Sequence, residues 1–251
     1  MSTDRDRRLD QLLVERGLAE SRARAQALIM AGLVFSGERR LDKAGMLVAE
    51  DAPLVVKGRD HPWASRGGLK LAHALDRFEI DPTGLVCLDV GASTGGFTDV
   101  LLSRGAARVY AVDVGRGQLA WKLRVDPRVI VLERVNARDL TPALIPERID
   151  LVVCDVSFIS LTLALPPALT LTAPCARLVA LIKPQFEVGR DQVGKGGIVR
   201  DSGARREVCE RISAWLATQP GWEVLGLVES PITGAEGNLE YLLAGVSRPQ
   251  L

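Results

Sequence analysis

From Leu85 onward the chain alternates short apolar runs with helix-length segments, and this alternation limits its fold more than any other feature. LVCLDVG, RVYAVDVG, RVIVLE, DLVVCDV and ARLVALIK read as strands. GFTDVLLSRG, LAWKLR, an apolar stretch after DLVVCDV and GARREVCERISAWLAT read as helices. Strand and helix in turn imply an α/β fold, a mostly parallel sheet with helices on both faces. The last runs, WEVLGLVESP and NLEYLLAG, are joined by a Gly-rich turn and predict an antiparallel edge strand.

Composition sets outer bounds. At 251 residues, 47% apolar and 25% charged, the chain can bury one substantial core beside a smaller module. No run has the apolar length of a membrane helix, and the start, MSTDRDRRLD, is too charged for a secretory signal. A soluble, cytoplasmic protein is expected. Cys87, Cys154, Cys175 and Cys209 form no C-x-x-C pair and only two histidines are present. That argues against a metal site and for buried free thiols in a reducing compartment. A net charge of +1 is uninformative about nucleic acid unless the arginines cluster.

They do cluster, near the amino terminus. RRLDQLLVERG carries a helical stripe at Leu9, Leu12 and Leu13, ended by Gly17; SRARAQALIMAG has Ser21 as N-cap, a stripe at Ala25, Leu28 and Ile29, and Gly32 as stop. LVFSG and APLVVKG read as short strands. Arg7, Arg8, Arg16, Arg22, Arg24, Arg39 and Arg40 fall at helix starts and in the turn. Acids are nearly as numerous, so charge alone suits a solvated mixed surface at least as well as a phosphate-binding face. The stretch RLDQLLVERGLAESRARAQALIMAGLVFSG, with RLD, SR and the glycine-bounded ending in order, resembles the S-four-type RNA-binding domain. The resemblance implies RNA contacts from Arg7, Arg8, Arg22, Arg24, Arg39 and Arg40.

KGRDHPWASRGG reads as a linker. The expected division is residues 1–58 for the small module, 59–66 for the linker and 67–251 for the α/β domain. Ser65 is expected to cap a helix, GGLKLAHALDRF, apolar at Leu69, Ala72 and Leu75 with Leu71 beside them. Lys70 lies in its first turn, where a cation is disfavoured by the helix dipole, and from the helix alone reads as a surface lysine.

CLDVGASTGGFTDVLL is the informative centre. A strand ends at Asp89 and meets Gly91, Gly95 and Gly96 before a helix begins. This spacing is neither the G-x-G-x-x-G of a dinucleotide fold nor a phosphate-cradling loop. A second strand ends in Asp113, at the distance expected of a carboxylate that grips ribose hydroxyls. An adenosine site without a pyrophosphate signature points to S-adenosylmethionine.

DVGASTGGFTDVLL, DVGRGQLAWKLR, LVVCDVSFIS, LIKPQFEVG and GNLEYLL occur in order and together resemble the TlyA family of ribosomal-RNA 2′-O-methyltransferases, with an FtsJ-like, Rossmann-like methyltransferase sheet. That family implies methyl transfer to a cytidine 2′-hydroxyl in ribosomal RNA: 23S RNA of the large subunit, with 16S RNA as a further candidate. It implies a catalytic Lys-Asp-Lys-Glu set, falling here on Lys70, Asp155, Lys183 and Glu240. It assigns Asp89, Gly91, Ala92, Ser93, Thr94, Gly95, Gly96, Phe97, Asp113 and Asn136 to the cofactor, and adds Arg66, Phe158 and Lys195 to the RNA contacts. The partner would be ribosomal RNA or a ribosomal subunit. The family is also named for haemolysis, which this α/β pattern without a spanning segment does not support.

The residues themselves support three of the four catalytic positions. Asp155 and Lys183 end consecutive apolar strands, and open α/β sheets bind ligands beyond the carboxyl ends of their strands. Glu240 sits at the start of the closing strand. Isolated charges there would be costly, whereas two cations and two anions can neutralise one another; Lys70 rests on the resemblance. An ordinary lysine titrates near pH ~10.4, so Lys183 either accepts the hydroxyl proton with help from its neighbours or orients the hydroxyl and deprotonates late. Phe97 and Phe158 suit core packing as well as contact with cofactor and target base. The loop EVGRDQVGKGGIVRDSG, with Arg190, Lys195 and Arg200, reads equally as a flexible surface loop or as a cover over RNA. A nicotinamide oxidoreductase, a non-catalytic RNA-binding scaffold and a membrane-lytic protein each explain fewer of these features.

Overall fold

Apolar runs without alternation need cover on both faces, and the structure provides it. A computed structural model describes residues 6–19, 21–57, 61–189, 192–234 and 237–248. They form two compact units, Met1–Pro62 and Trp63–Leu251.

In the first unit, β1 (Asp6–Arg8) leads into α1 (Leu9–Glu15) and α2 (Arg22–Met30), followed by β2 (Val34–Ser36), β3 (Arg39–Arg40), β4 (Leu47–Ala49) and β5 (Leu54–Val56). Ser21 caps α2 as expected, its hydroxyl accepting from the Arg24 amide at 3.2 Å. Leu9, Leu12 and Leu13 of α1 pack against Ala25, Leu28 and Ile29 of α2 over Val34 and Leu54. The β2 and β5 strands match LVFSG and APLVVKG. β1, β3 and β4 were not legible: they are two or three residues long, and pairing partners define them, not their own pattern.

The second unit begins at Trp63, so Trp63 to Arg66, part of the expected linker, belong to its packing. α3 (Gly67–Arg77) has Arg66 at the N-cap position; Ser65, expected there, sits one residue earlier and accepts from the Gly67 amide at 3.3 Å. Next come β6 (Val86–Val90), α4 (Gly96–Ser103), β7 (Arg108–Asp113), α5 (Trp121–Arg124), β8 (Val129–Glu133), β9 (Ile149–Cys154), α6 (Leu161–Thr170), β10 (Thr172–Ile182), α7 (Ser202–Thr218), β11 (Trp222–Glu229) and β12 (Tyr241–Ser247). Among the described residues the strands form a seven-stranded sheet of order β11-β12-β10-β9-β6-β7-β8.

Alternate residues feed opposite cores. Leu88, Val152, Cys154, Leu178 and Ala180 face the layer containing α6 and α7; Cys87, Leu151, Val153, Val179 and Leu181 face the layer of α3 and α4. Each fully buried Leu or Val side chain contributes roughly 1.5–3 kcal/mol, so these two layers dominate stability.

The mostly parallel sheet is the expected one, but its antiparallel strand lies one place in from the edge. β12 runs antiparallel to both β10 and β11 and separates them. Five of the seven β12 residues are buried, whereas β11 alternates and carries a bulge between Val224 and Gly226, as suits a strand with an open edge. Cys87, Cys154 and Cys209 are buried, with burial pushing the Cys154 thiol up to about 12; Cys175, expected to be buried, is exposed.

Candidate active site

Three strand ends meet where β6, β9 and β10 leave the core side by side. The β6 end turns at Gly91, whose φ is +87°; a Cβ there would come within 2.8 Å of the Asp155 carbonyl oxygen. Only glycine lets the two strand ends approach this closely. The Asp155 amide donates to the Val90 carbonyl at 2.9 Å, fastening the two strands at their exits. Gly95, at φ +94°, starts α4 and accepts the close packing of Leu119 and Leu123.

The charged side chains converge. Lys183 follows Ile182, the last residue of β10, and Pro184 then opens a short 3-10 turn that ends the strand. Ile182 pairs with Tyr241, so antiparallel register carries Lys183 and Glu240 past the last pair together. Lys183 Nζ lies 2.6 Å from Asp155 Oδ1, a charge contact outside hydrogen-bond alignment. Its aligned hydrogen bond goes to Ser157 Oγ at 2.9 Å. Lys70 Nζ donates to Glu240 Oε2 at 2.5 Å, both side chains being at least 92% buried.

The surface reading of Lys70 is therefore corrected. α3 packs against both α4 and β12, so its buried face is wider than one stripe and includes Gly68, Lys70, Leu71 and Ala74, while Leu69 is half-buried. Burial of the ammonium is sustained by Glu240.

Two adjoining clefts share Gly91, Ser93, Asp155 and Ser157 as common wall. The larger, about 800 Å³, is lined by Asp113, Gln118, Asn136, Arg138 and Phe158 among others. The smaller, about 300 Å³, is lined by Arg66, Lys70, Ala92, Thr94, Gly96, Phe97 and Lys183. Glu240 meets it through Lys70. Asp113 Oδ2 accepts from the Ser93 amide at 2.8 Å and Oδ1 from the Gly115 amide at 2.7 Å, folding the two turns together. Asn136 caps a 3-10 turn by accepting from the Arg138 amide. Phe97 is 97% buried in the core and also touches the smaller cleft.

Asp89 lies behind the wall, fully buried. Its Oδ2 accepts from the Thr98 hydroxyl at 2.6 Å, whereas Oδ1 has no partner. Burial raises this carboxyl to about 7, opposed by the Thr98 hydroxyl and reinforced by the charges of Asp155 and Asp113. In the unfolded chain it titrates near 3.8, so between these values the folded protein holds the extra proton. The associated stability is complete below pH ~4 and lost as pH rises through 7. Urea unfolding should show wild type losing on the order of 3 kcal/mol relative to Asp89→Asn between pH 5 and 8. Parallel pH profiles for the two proteins would contradict this.

The arginines proposed for RNA are less free than their sequence suggests. Asp10, fully buried, accepts from Arg8 at 3.1 Å, Arg22 at 2.9 Å and Gln26 at 3.1 Å; the Arg8 guanidinium above all holds its carboxyl far below the usual range. Arg7 pairs with Glu15 and Glu50. Arg39 and Arg40 are exposed on β3, Arg24 is half-buried, and Arg66 and Lys195 are exposed in the second unit. Arg190 lies outside the described residues. Phe158 is 90% exposed, at a left-handed φ of 65°, and its ring sits 4.8 Å from that of Phe186. Core packing is thus excluded for Phe158.

Several site residues escaped the sequence reading. Ser157, which receives the Lys183 hydrogen bond, is an unremarked serine after Asp155. Ser65 and Trp63 pack under the glycine turn and α3, and Asp99 holds this segment by accepting from the Ala64 amide at 2.7 Å and from Lys122 at 2.6 Å. Hydrogen bonds across 23 to 35 residues of sequence leave no local signal.

Comparison with known proteins agrees with the geometry. Residues 63–246 match the FtsJ-like methyltransferase family, and residues 7–52 match the S4 domain. The chain is 51% identical over 237 residues to the 16S/23S rRNA (cytidine-2′-O)-methyltransferase TlyA of Mycobacterium tuberculosis, covering 94% of this chain and 88% of that protein. It is 37% identical over 183 residues to the 23S rRNA (cytidine-2′-O)-methyltransferase TlyA of Campylobacter jejuni, covering 71% and 69%. The solved structure of a hemolysin-named protein from Streptococcus thermophilus superimposes with a TM-score of 0.76 at 42% identity, covering 99% of this chain and 90% of that one. Among the described residues no helix is long and apolar enough to cross a membrane. With this sheet, these strand-end charges and these matches, the chain belongs to the TlyA family of FtsJ-like methyltransferases, carrying an S4 domain on its amino-terminal side.

Proposed function

We propose that this methyltransferase modifies a cytidine ribose 2′-hydroxyl in ribosomal RNA, with Lys70, Asp155, Lys183 and Glu240 as its catalytic residues. The observation that carries the reading is the placement of two cation–anion pairs beside the wall between a cofactor-sized cleft and a smaller one. The M. tuberculosis relative is named for 16S and 23S RNA, the C. jejuni relative for 23S alone. We therefore take 23S RNA as the principal substrate and 16S RNA as a second. Residues 1–58 would act as the RNA-binding module, with the expected connection shortened to 59–62 and the catalytic part running from Trp63 onward, working in the cytoplasm.

The cofactor is S-adenosylmethionine, and the residues present fit it. The Gly91 turn has no room for a side chain, Asp89 lines neither cleft and backs the turn from behind through Thr98, and Asp113 keeps lone pairs for ribose hydroxyls at the edge of the larger cleft. When bound, S-adenosylmethionine supplies an electrophilic methyl group. Asn136 and Gln118 border the same cleft and can meet the adenosine part.

In this scheme the resting Lys183 ammonium first gives a proton to water by way of Ser157, which is exposed, and the neutral amine then takes the proton of the attacking hydroxyl, Asp155 balancing the ammonium that forms again. Lys70, neutralised from behind by Glu240, adds a cationic wall where negative charge develops on oxygen. Phe158 offers a stacking face for an extruded base. Holding oxygen, methyl and sulfur in line supplies a further part of the acceleration.

The test is direct. Protein, methyl-labelled S-adenosylmethionine and ribosomal RNA or subunits should yield label that survives alkaline hydrolysis within a dinucleotide, because a methylated 2′-oxygen cannot form the cyclic phosphate. Label on a base, or none on RNA from either subunit, would overturn the reading.

A further inference from the structure

The Lys183 turn is tied to the Ser157 loop twice. On the cleft side the tie is the Lys183 contact with Asp155 and Ser157. On the far side it is Glu187, whose side chain is 98% buried. Glu187 Oε1 accepts from the Leu161 amide at 2.8 Å, and Oε2 from the Ser160 hydroxyl at 2.7 Å. Both donors stand at the start of α6, where a carboxylate also meets the positive end of the helix. Arg211 of α7 holds the turn from outside, donating to the Glu187 carbonyl at 2.7 Å, with its guanidinium 3.9 Å from Oε2.

Between the two ties lies the part of the site that faces an acceptor. Phe158 is exposed and strained in the left-handed region, which a bulky residue adopts only when its surroundings impose it. Ser157 precedes it, and Ser160, which caps α6 through the Thr162 amide at 3.2 Å, closes the loop. Phe186, next to Glu187, supplies the ring against which Phe158 leans.

We propose that Glu187 is a positioning residue for the acceptor nucleotide: its carboxylate clasps the start of α6 to the turn after Lys183, and so holds Ser157 and Phe158 in register with the Lys183 amine. This deepens the proposed RNA ribose methylation and rests on that reading for the identity of the acceptor. Glu187 does not line either cleft, so its influence runs through the two loops. The larger cleft's Asp113 and Asn136 are fastened independently of it.

The clasp needs two hydrogen-bonding atoms and no net charge. Glu187→Gln keeps both, its carbonyl oxygen accepting from the Leu161 amide and its NH₂ donating to the Ser160 hydroxyl. Glu187→Ala keeps neither. At saturating cofactor, Glu187→Ala is expected to lower kcat on ribosomal RNA by about 10–100-fold and to raise KM for RNA, since a misplacement near 1 Å can cost about a hundredfold. The Kd for S-adenosylmethionine should stay within about twofold, and Glu187→Gln should stay within about threefold of wild type in kcat. Hydrogen exchange at the Leu161 amide reads the clasp without turnover: protection should fall in Glu187→Ala and persist in Glu187→Gln. Should Glu187→Ala fail to fold, Ser160→Ala removes one arm of the clasp and is expected to shift the same constants in the same direction.

Wild-type turnover by Glu187→Ala overturns the proposal, as does cofactor affinity falling in step with kcat. Equal damage in Glu187→Gln also overturns it, because that would make charge, through Arg211, the operative property. If wild type transfers no methyl group to RNA while Leu161 exchange behaves as described, the proposed function has failed and the clasp stands.

Discussion

Lys183→Ala is expected to reduce methyl transfer to ribosomal RNA by about a thousandfold, with affinity for S-adenosylmethionine within about threefold of wild type. The two effects separate because Lys183 lines the smaller cleft, whereas Asp113 and Asn136 line the larger. Truncation also removes the cation beside Asp155, which is partly exposed and can turn to water, so the fold should tolerate the loss. The measurement is single-turnover transfer from labelled cofactor, beside calorimetric titration of the cofactor alone. Near-normal transfer would remove Lys183 from the chemistry. A matching loss of cofactor binding would reassign it to holding the donor.

The second large effect concerns Lys70 and Glu240. Removing one partner of a buried ion pair strands the other charge, and such losses cost about 3–5 kcal/mol. Glu240→Ala is therefore expected to destabilise the protein by about that amount in urea or guanidinium unfolding, leaving Lys70 buried without its counter-charge. Replacing both residues together, Lys70→Met with Glu240→Leu, should recover most of the stability, because apolar side chains of similar volume often substitute for a buried pair at little net cost. Activity should not return with stability. That dissociation would show that the pair is retained for the charge it presents to the cleft. Full activity in the stable double variant would make the pair purely architectural.

How much of this was legible depends on how far each residue's role is local. Continuous apolar runs such as DLVVCDV and ARLVALIK announce strands covered on both faces, and the structure sends their alternate side chains into two separate layers. Asp155 and Lys183 could be singled out because a charge directly after such a run is conspicuous. Lys70 could not, since a lysine in the first turn of an amphipathic helix is commonplace; only the packing of α3 against α4 and β12 buries it. The placement of β12 inside β11 was likewise hidden, because a hairpin pattern does not say which of its strands joins the sheet.

In the amino-terminal unit, helix stripes and the Ser21 cap were readable, but the fate of the arginines was not. Arg8 and Arg22 look equivalent to Arg39 and Arg40 in sequence. In space the buried Asp10 holds the first two, although Arg22 is itself exposed, whereas Arg39 and Arg40 are exposed and make no ion pair among the described residues. Identical charge thus arrives in different states of readiness for a phosphate.

By itself the sequence determined the class of sheet, the strand that ends in a glycine turn, and the two charged strand ends beside it. Those properties follow from backbone periodicity and from the desolvation cost of a charge next to an apolar run. Only the tertiary structure decided which cation meets which anion, that Ser157 takes the Lys183 hydrogen bond, and that Glu187 joins the two loops. The physical reason is separation along the chain: Lys70 and Glu240 are 170 positions apart, and no local preference can carry information across that distance until the sheet brings them together.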